Sequence, residues 1–239
     1  MSLGGMDMLM SVHIDDAVRL RADLSPDRSS RVELEGGGDL NLQYTPQGDL
    51  TLSGRYTLIG GMMKYALPVI PLKEFQFVNG SYVDWTGNPM NPSLNLTATE
   101  RVRASVSDGD DGGSRMVNFD VSISIKNRLE NPDLSFNLSA PDDATVQGEL
   151  AGMSADERSK QAITMLATGM YLYNSGKGGG LTMGSALNSV LQSQINALTG
   201  NLKNASLSVG IEDRTAAETG DKQTDYSFRY SQRFFNDRI

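Results

Sequence analysis

The chain has 239 residues, of which 38% are hydrophobic, and its mean hydropathy is −0.33. The formal net charge of −8 argues against nucleic acid as a partner, because phosphate binding needs a basic surface. The absence of cysteine excludes a disulfide-stabilised scaffold, and no apolar run approaches the roughly 20 residues that a membrane-spanning helix needs.

The chain begins with a long stretch in which every second residue is apolar. Residues 1–5 resemble a vector-derived tag and are left out of the fold prediction, and the sequence is expected to be a fragment of a longer protein. Residues 6–24 alternate, which is typical of strands with one apolar and one polar face. The glycines at 36–38 are expected to separate two further strands.

A hairpin is predicted next. Pro46-Gln47-Gly48-Asp49 is a turn signal between the alternating residues 40–44 and 50–58. Gly60-Gly61 is expected to break the second strand, and the prolines within residues 68–71 mark a loop or a sheet edge.

The middle of the chain continues the alternation. Asn79-Gly80 predicts a turn between two strands, and residues 107–114 predict a hydrophilic hairpin tip. Residues 119–125 carry the clearest alternation, and Pro141 ends the strand that contains residues 134–138. Consecutive strands with short turns imply antiparallel pairing.

The period changes near residue 154, where Ser154 and Glu157 form a capping-box pattern at a helix start. Residues 176–180 form a glycine-rich linker, and a second amphipathic helix is predicted over residues 185–199. The two-residue period then returns. The predicted divisions are a sheet over residues 6–150, a two-helix segment over 154–200 and a terminal strand pair over 205–239.

Catalytic and metal-binding patterns are not found in the sequence. His13 is the single histidine and falls on the polar side of its strand, so it is predicted to face solvent. Lys177 precedes its glycines and lies between helices, which does not fit a phosphate-binding loop. The acidic run 108–111 lacks the glutamate of a calcium loop. We therefore expect no enzyme, no cofactor and no metal.

Three arrangements of the apolar face remain open. Two sheets could pack together in a soluble sandwich that serves as a binding or adhesion module. The strands could belong to an outer-membrane barrel, although two helices near the C-terminus fit that poorly. A curled sheet could instead leave its concave face partly open. The third arrangement is favoured because the inward-facing residues are mostly aliphatic, with few large aromatics to fill a wide interior.

Several short motifs follow one another in a characteristic order. The first part of the chain contains Gly48 to Tyr56, Phe75-x-Phe77-x-x-Gly80-x-Tyr82-Val83 and Asn91 to Ala98. The later part contains Asn131 to Pro141 and Ala186 to Leu198, followed by Leu207-x-Val209-x-Ile211. In this order the motifs resemble the C-terminal domain of the TamB family, which belongs to the AsmA-like group. The resemblance covers roughly residues 40–239. The insertion at 108–113, the loop at 68–71 and a shortened end after Ile239 depart from the family pattern.

This resemblance implies a mostly β fold, a long curled antiparallel sheet with a β-taco-like groove, here with two C-terminal amphipathic helices. It also implies a periplasmic part of an inner-membrane-anchored protein in a Gram-negative bacterium. The implied partner is an outer-membrane barrel of the Omp85 type, similar to TamA, and the implied cargo is phospholipid or nascent outer-membrane proteins. A homodimer through a sheet edge or the groove is a further expectation.

The predicted groove-lining residues, for lipid or protein clients, are the inward-facing members of the strands. They are Leu40, Leu42, Leu50, Leu52, Tyr56, Leu58, Phe75, Phe77, Leu94, Leu96, Val121, Ile123, Phe136 and Leu138.

Overall fold

A computed structural model describes residues 7–23, 29–67, 70–107, 113–171 and 206–209. Within this part of the chain most residues are in strands, and the strands form one curled antiparallel sheet with two helices toward the C-terminus. The predicted fold class is therefore confirmed. The predicted tip at 108–111, the linker at 176–180, the helix at 185–199 and the strand containing Tyr226 lie outside the described residues, and the division into three segments stays a prediction.

Nine strands and two helices are described. The strands are β1 (Met8–Asp23), β2 (Arg31–Tyr44), β3 (Leu50–Leu67), β4 (Ile70–Phe77), β5 (Tyr82–Gly87), β6 (Ser93–Ser107), β7 (Ser114–Arg128), β8 (Asp133–Ser139) and β9 (Ser206–Val209). The helices are α1 (Ala144–Gly152) and α2 (Ala155–Thr168), which lie between β8 and β9 in the chain.

The strand order across the sheet is β8-β7-β6-β4-β3-β2-β1-β9, and β5 pairs with both β3 and β6. β4 pairs with the C-terminal part of β3 and β5 with its N-terminal part, both antiparallel. β4 and β5 therefore run in the same direction and share one row of the sheet. The predicted turn at Asn79-Gly80 forms, but it interrupts this row and does not reverse the chain.

The expected breaks at the glycines of β2 and β3 are wrong, because both strands continue through them. A Cβ at Gly38 would collide with the carbonyl oxygen of Arg55 on β3. Gly54 has a φ of +126°, which L side chains rarely adopt. Glycine therefore allows close approach of the two backbones and lets the long strands continue.

The side chain of Tyr56 lies on the same face of the sheet as Gly38 and Gly54. Its side chain is fully buried on the inner face of β3, opposite Gly38. Its hydroxyl donates a hydrogen bond of 2.9 Å to the carbonyl oxygen of Val18, two strands away on β1. Burial raises the pKa of this phenol well above its ordinary value, so the hydroxyl remains a donor. One side chain thus ties three adjacent strands together.

Both helices have well-defined starts. The predicted capping box of α2 is confirmed: the hydroxyl of Ser154 accepts from the amide of Glu157, and the amide of Ser154 donates to the Glu157 carboxylate. α1 was not predicted, because it is short and has little amphipathic pattern. Its start carries a recognisable signal, since Asp143 caps it two residues after Pro141.

We predict that Tyr56→Phe lowers the free energy of unfolding by about 1 kcal/mol, because the partly buried carbonyl of Val18 loses its donor while the aromatic packing remains. Urea denaturation measures the change. Tyr82→Phe is the matched control, since the Tyr82 ring lies against the guanidinium of Arg55 on the outer face. An equal loss in both variants would contradict the role given to the Tyr56 hydroxyl.

Candidate functional site: the inner face of the sheet

The predicted groove-lining residues lie on one face of the sheet. Residues directly opposite each other on neighbouring strands share a face, and the observed register joins the predicted residues in this way. Leu42 lies opposite Leu52, Val121 is paired with Leu138, and Ile123 is paired with Phe136. Alternation along each strand and register across strands therefore gather these side chains on one inner face.

Burial divides this inner face into two parts. The packed part contains predicted residues that are all buried, and its members are Tyr56, Leu58, Phe75, Phe77, Leu94, Leu96, Val121, Ile123, Phe136 and Leu138. They belong to one hydrophobic core together with residues of both helices. The remaining predicted residues are accessible: Leu40, Leu42 and Leu52 are half-buried, and the Leu50 side chain is exposed.

Three residues of β1 extend the accessible part, and the groove prediction omitted them. Met8, Met10 and Val12 are 39%, 43% and 37% exposed, and they lie opposite Tyr44, Leu42 and Leu40. Their two-residue period is visible in the sequence and signals an apolar face. We call the accessible set the open rows. They consist of Met8, Met10, Val12, Leu40, Leu42, Leu50 and Leu52.

The outer face of the sheet is polar. Thr97 and Thr99 on β6 are within hydrogen-bond distance of Ser124 and Ser122 on β7, and Arg101 contacts Asp120 through two nitrogen atoms. The prediction for His13 is confirmed, because its side chain is 76% exposed and its Nδ1 lies 2.7 Å from the Asp39 carboxylate. This contact raises the pKa of His13. The two faces of the sheet therefore differ sharply in polarity.

A charged pair interrupts the packed part of the inner face. Glu100 on β6 lies between the inward-facing Ala98 and Val102, and its carboxylate is 3.3 Å from the ammonium group of Lys73 on β4. Both side chains are about four-fifths buried, with exposures of 17% and 21%. Burial raises the pKa of Glu100, and the Lys73 charge opposes that shift. This pair was not predicted, because its two residues come from different strands.

The helices cover the packed part from one side. α2 packs mainly against the edge strand β8 and also contacts β7 and β4. Arg115 on β7 holds the Asp143 carboxylate through two hydrogen bonds of 3.0 Å, and Asp143 caps α1. The ring of Tyr171, just after α2, lies 4.9 Å from that of Phe119. α1, α2 and the β7–β8 pair are thus held together.

The site offers apolar contact and little reactive chemistry. Within the described ranges, no three His, Asp or Glu side chains are grouped so that they could hold a metal ion. In the same part of the chain, no helix combines the length and the apolar character required to cross a bilayer. What the arrangement can do is bind an apolar group along the open rows.

Comparison with known proteins gives one family. The family model of the TamB C-terminal domain matches residues 5–239. No curated protein matches the chain.

We predict that the Lys73–Glu100 pair does not stabilise the fold. The double variant Lys73→Met with Glu100→Leu should have a free energy of unfolding equal to or above that of the unmodified chain. Lys73→Met alone should cost about 1–3 kcal/mol, because it leaves the Glu100 carboxylate buried without its cation. This deficit should shrink at lower pH as Glu100 takes up a proton. Urea denaturation tests this, and equal losses in the single and double variants would contradict it.

The stability of the sheet–helix junction should fall in acid. Hydrogen bonding from the Val146 amide, together with Arg115, lowers the pKa of Asp143. The ionised carboxylate therefore contributes stability that is complete above the ordinary value of 3.8 and is lost as the pH falls through the folded-state pKa.

Asp143→Asn keeps a side chain that can cap α1 but removes this titration. We expect the melting temperature of this variant to depend less on pH below about 4 than that of the unmodified chain. Asp142→Asn, at an exposed neighbouring carboxylate, is the matched control. Identical pH dependence in the Asp143→Asn variant and the unmodified chain would show that Asp143 has no such role.

Proposed function

The chain belongs to the family of TamB C-terminal domains, and we propose that it acts as a non-enzymatic bridge that guides phospholipid or nascent outer-membrane proteins between the inner and outer membranes. Family membership supports a role in the translocation and assembly module. The proposal of a guiding groove rests on the open rows of the inner face.

The open rows have the chemistry that an acyl chain requires. All seven side chains are aliphatic or thioether groups, on three adjacent strands. Each methylene group that such a surface removes from water contributes roughly 0.8 kcal/mol, so affinity needs no specific polar contact. Unbranched methionines at two positions adapt to chains of different shape. The apolar side of a nascent membrane strand would fit the same surface.

The proposed surroundings follow from the family. We infer a periplasmic location, as part of an inner-membrane-anchored protein in a Gram-negative bacterium, and an outer-membrane barrel of the Omp85 type, similar to TamA, as partner. Among the described strands β8 lies at an edge of the sheet, and an edge strand could pair with a strand of such a partner or of a second copy. The acidic net charge of −8 gives no support for a nucleic-acid role.

A soluble sandwich is the competing arrangement, and the sheet topology favours the groove. All nine described strands belong to one sheet. Within the described residues, the elements that cover the inner face are therefore helices. A sandwich would instead oppose it with a second sheet.

The groove is tested by placing a charge in the open rows. We expect Leu52→Asp to weaken binding of cis-parinaric acid, a fluorescent acyl chain, by about tenfold or more, because the carboxylate must be desolvated when the chain binds. Ser53→Asp places the same charge on the outer face of the same strand and should leave the affinity unchanged. Fluorescence titration measures both.

Ile123 is less suitable for this test, since it is fully buried and a charge there would disrupt folding. If Leu52→Asp binds the acyl chain as tightly as the unmodified domain, or if the unmodified domain does not bind it at all, the groove proposal is wrong.

A further inference from the structure

We infer that α2 occupies part of the cargo path and moves off the inner face when an acyl chain extends from the open rows into the packed part. This inference rests on the proposed function, because it assumes that the open rows receive an acyl chain. It adds a conformational step, in which helix and cargo compete for the same apolar surface.

The first support is the position of α2. Its buried residues Ala162, Ile163, Met165 and Leu166 belong to the same core as the inward-facing residues of β4, β6, β7 and β8. α2 contacts β8 at one end of the sheet and β4 on the far side of β7 and β6, so it lies within the curl. The inner face continues without a break in register from the open rows to Tyr56 and Leu58. An acyl chain that follows this face from β3 onto its neighbour β4 would meet α2, which contacts β4.

The second support is that α2 is held unequally at its two sides. On the β8 side, Arg158 donates to the carbonyl oxygens of Leu150 and Met153 and to the side chain of Asn137. On the β4 side, the inner face contains the buried Lys73–Glu100 pair. α2 also packs less extensively against β4 than against β8, so its β4 side is the side more easily released.

The third support is that movement of α2 breaks no sheet hydrogen bonds. The backbone bonds of a helix are internal, and α2 carries its own capping box at Ser154 and a left-handed end at Gly169. The helix can therefore separate from β4 intact while α1 stays against β8. The acyl chain would replace its apolar contacts with the inner face, which makes an exchange of one apolar occupant for another feasible.

The absence of cysteine from the sequence allows a direct test. Ile163→Cys places one thiol on the buried face of α2, and Val146→Cys places one on the buried face of α1 as the matched control. Maleimide labelling rates are measured with and without saturating cis-parinaric acid, whose fluorescence reports its binding independently. We expect the rate at position 163 to rise about tenfold or more and the rate at position 146 to change less than about twofold.

Each other outcome has a distinct meaning. If the acyl chain binds and position 163 stays protected, α2 does not move and this inference is wrong, while the proposed function stands. If both positions become reactive, the domain opens as a whole and the helix-specific movement is refuted. If the fluorescence does not rise, the acyl chain is not bound, and both the inference and the proposed function fail.

Discussion

The whole domain depends on a single apolar sheet face and on what covers it. A strand with a two-residue period exposes one apolar side, and antiparallel pairing in register adds the sides of successive strands together. Within the described chain one sheet carries this face, and two short helices cover only its β4–β8 side. The hydrophobic effect therefore stabilises the packed part, and the side chains of the open rows remain accessible.

The long strands need their own support, and Tyr56 with the neighbouring glycines provides it. A regular side chain at Gly38 would force β2 and β3 apart. Glycine costs stability inside a strand, so its presence here indicates a local constraint stronger than strand propensity. The Tyr56 hydroxyl satisfies a carbonyl of β1 from two strands away. The same residue thus fills the inner face and ties together the strands that carry the open rows.

Local sequence patterns predicted the secondary-structure elements better than the pairing and packing of those elements. The alternation predicted the strands, the Pro46–Asp49 turn predicted the β2–β3 hairpin, and the pattern at Ser154 predicted the start of α2, because each signal is local in the chain. The glycines of β2 and β3 were misread as strand ends, since their role depends on the neighbouring backbone. The shared row of β4 and β5 also depends on pairing with β3 and β6, which no local pattern contains.

The candidate site shows the same limit. The sequence identified which residues share the inner face, but Ile123 and Leu52 look alike in a period-two pattern and differ completely in accessibility. Ile123 belongs to the core that includes residues of both helices, whereas Leu52 does not. The Lys73–Glu100 pair was missed for a related reason, because a charge on an apolar face becomes meaningful only when its partner strand is known.

Native mass spectrometry of the domain purified from a Gram-negative host, without added detergent, tests the central claim most directly. We expect a population of molecules that carry phospholipid, and an added acyl chain that occupies the inner face should release this phospholipid. A lipid-free domain that also fails to take up phospholipid from vesicles would contradict the claim that the open rows form a cargo surface.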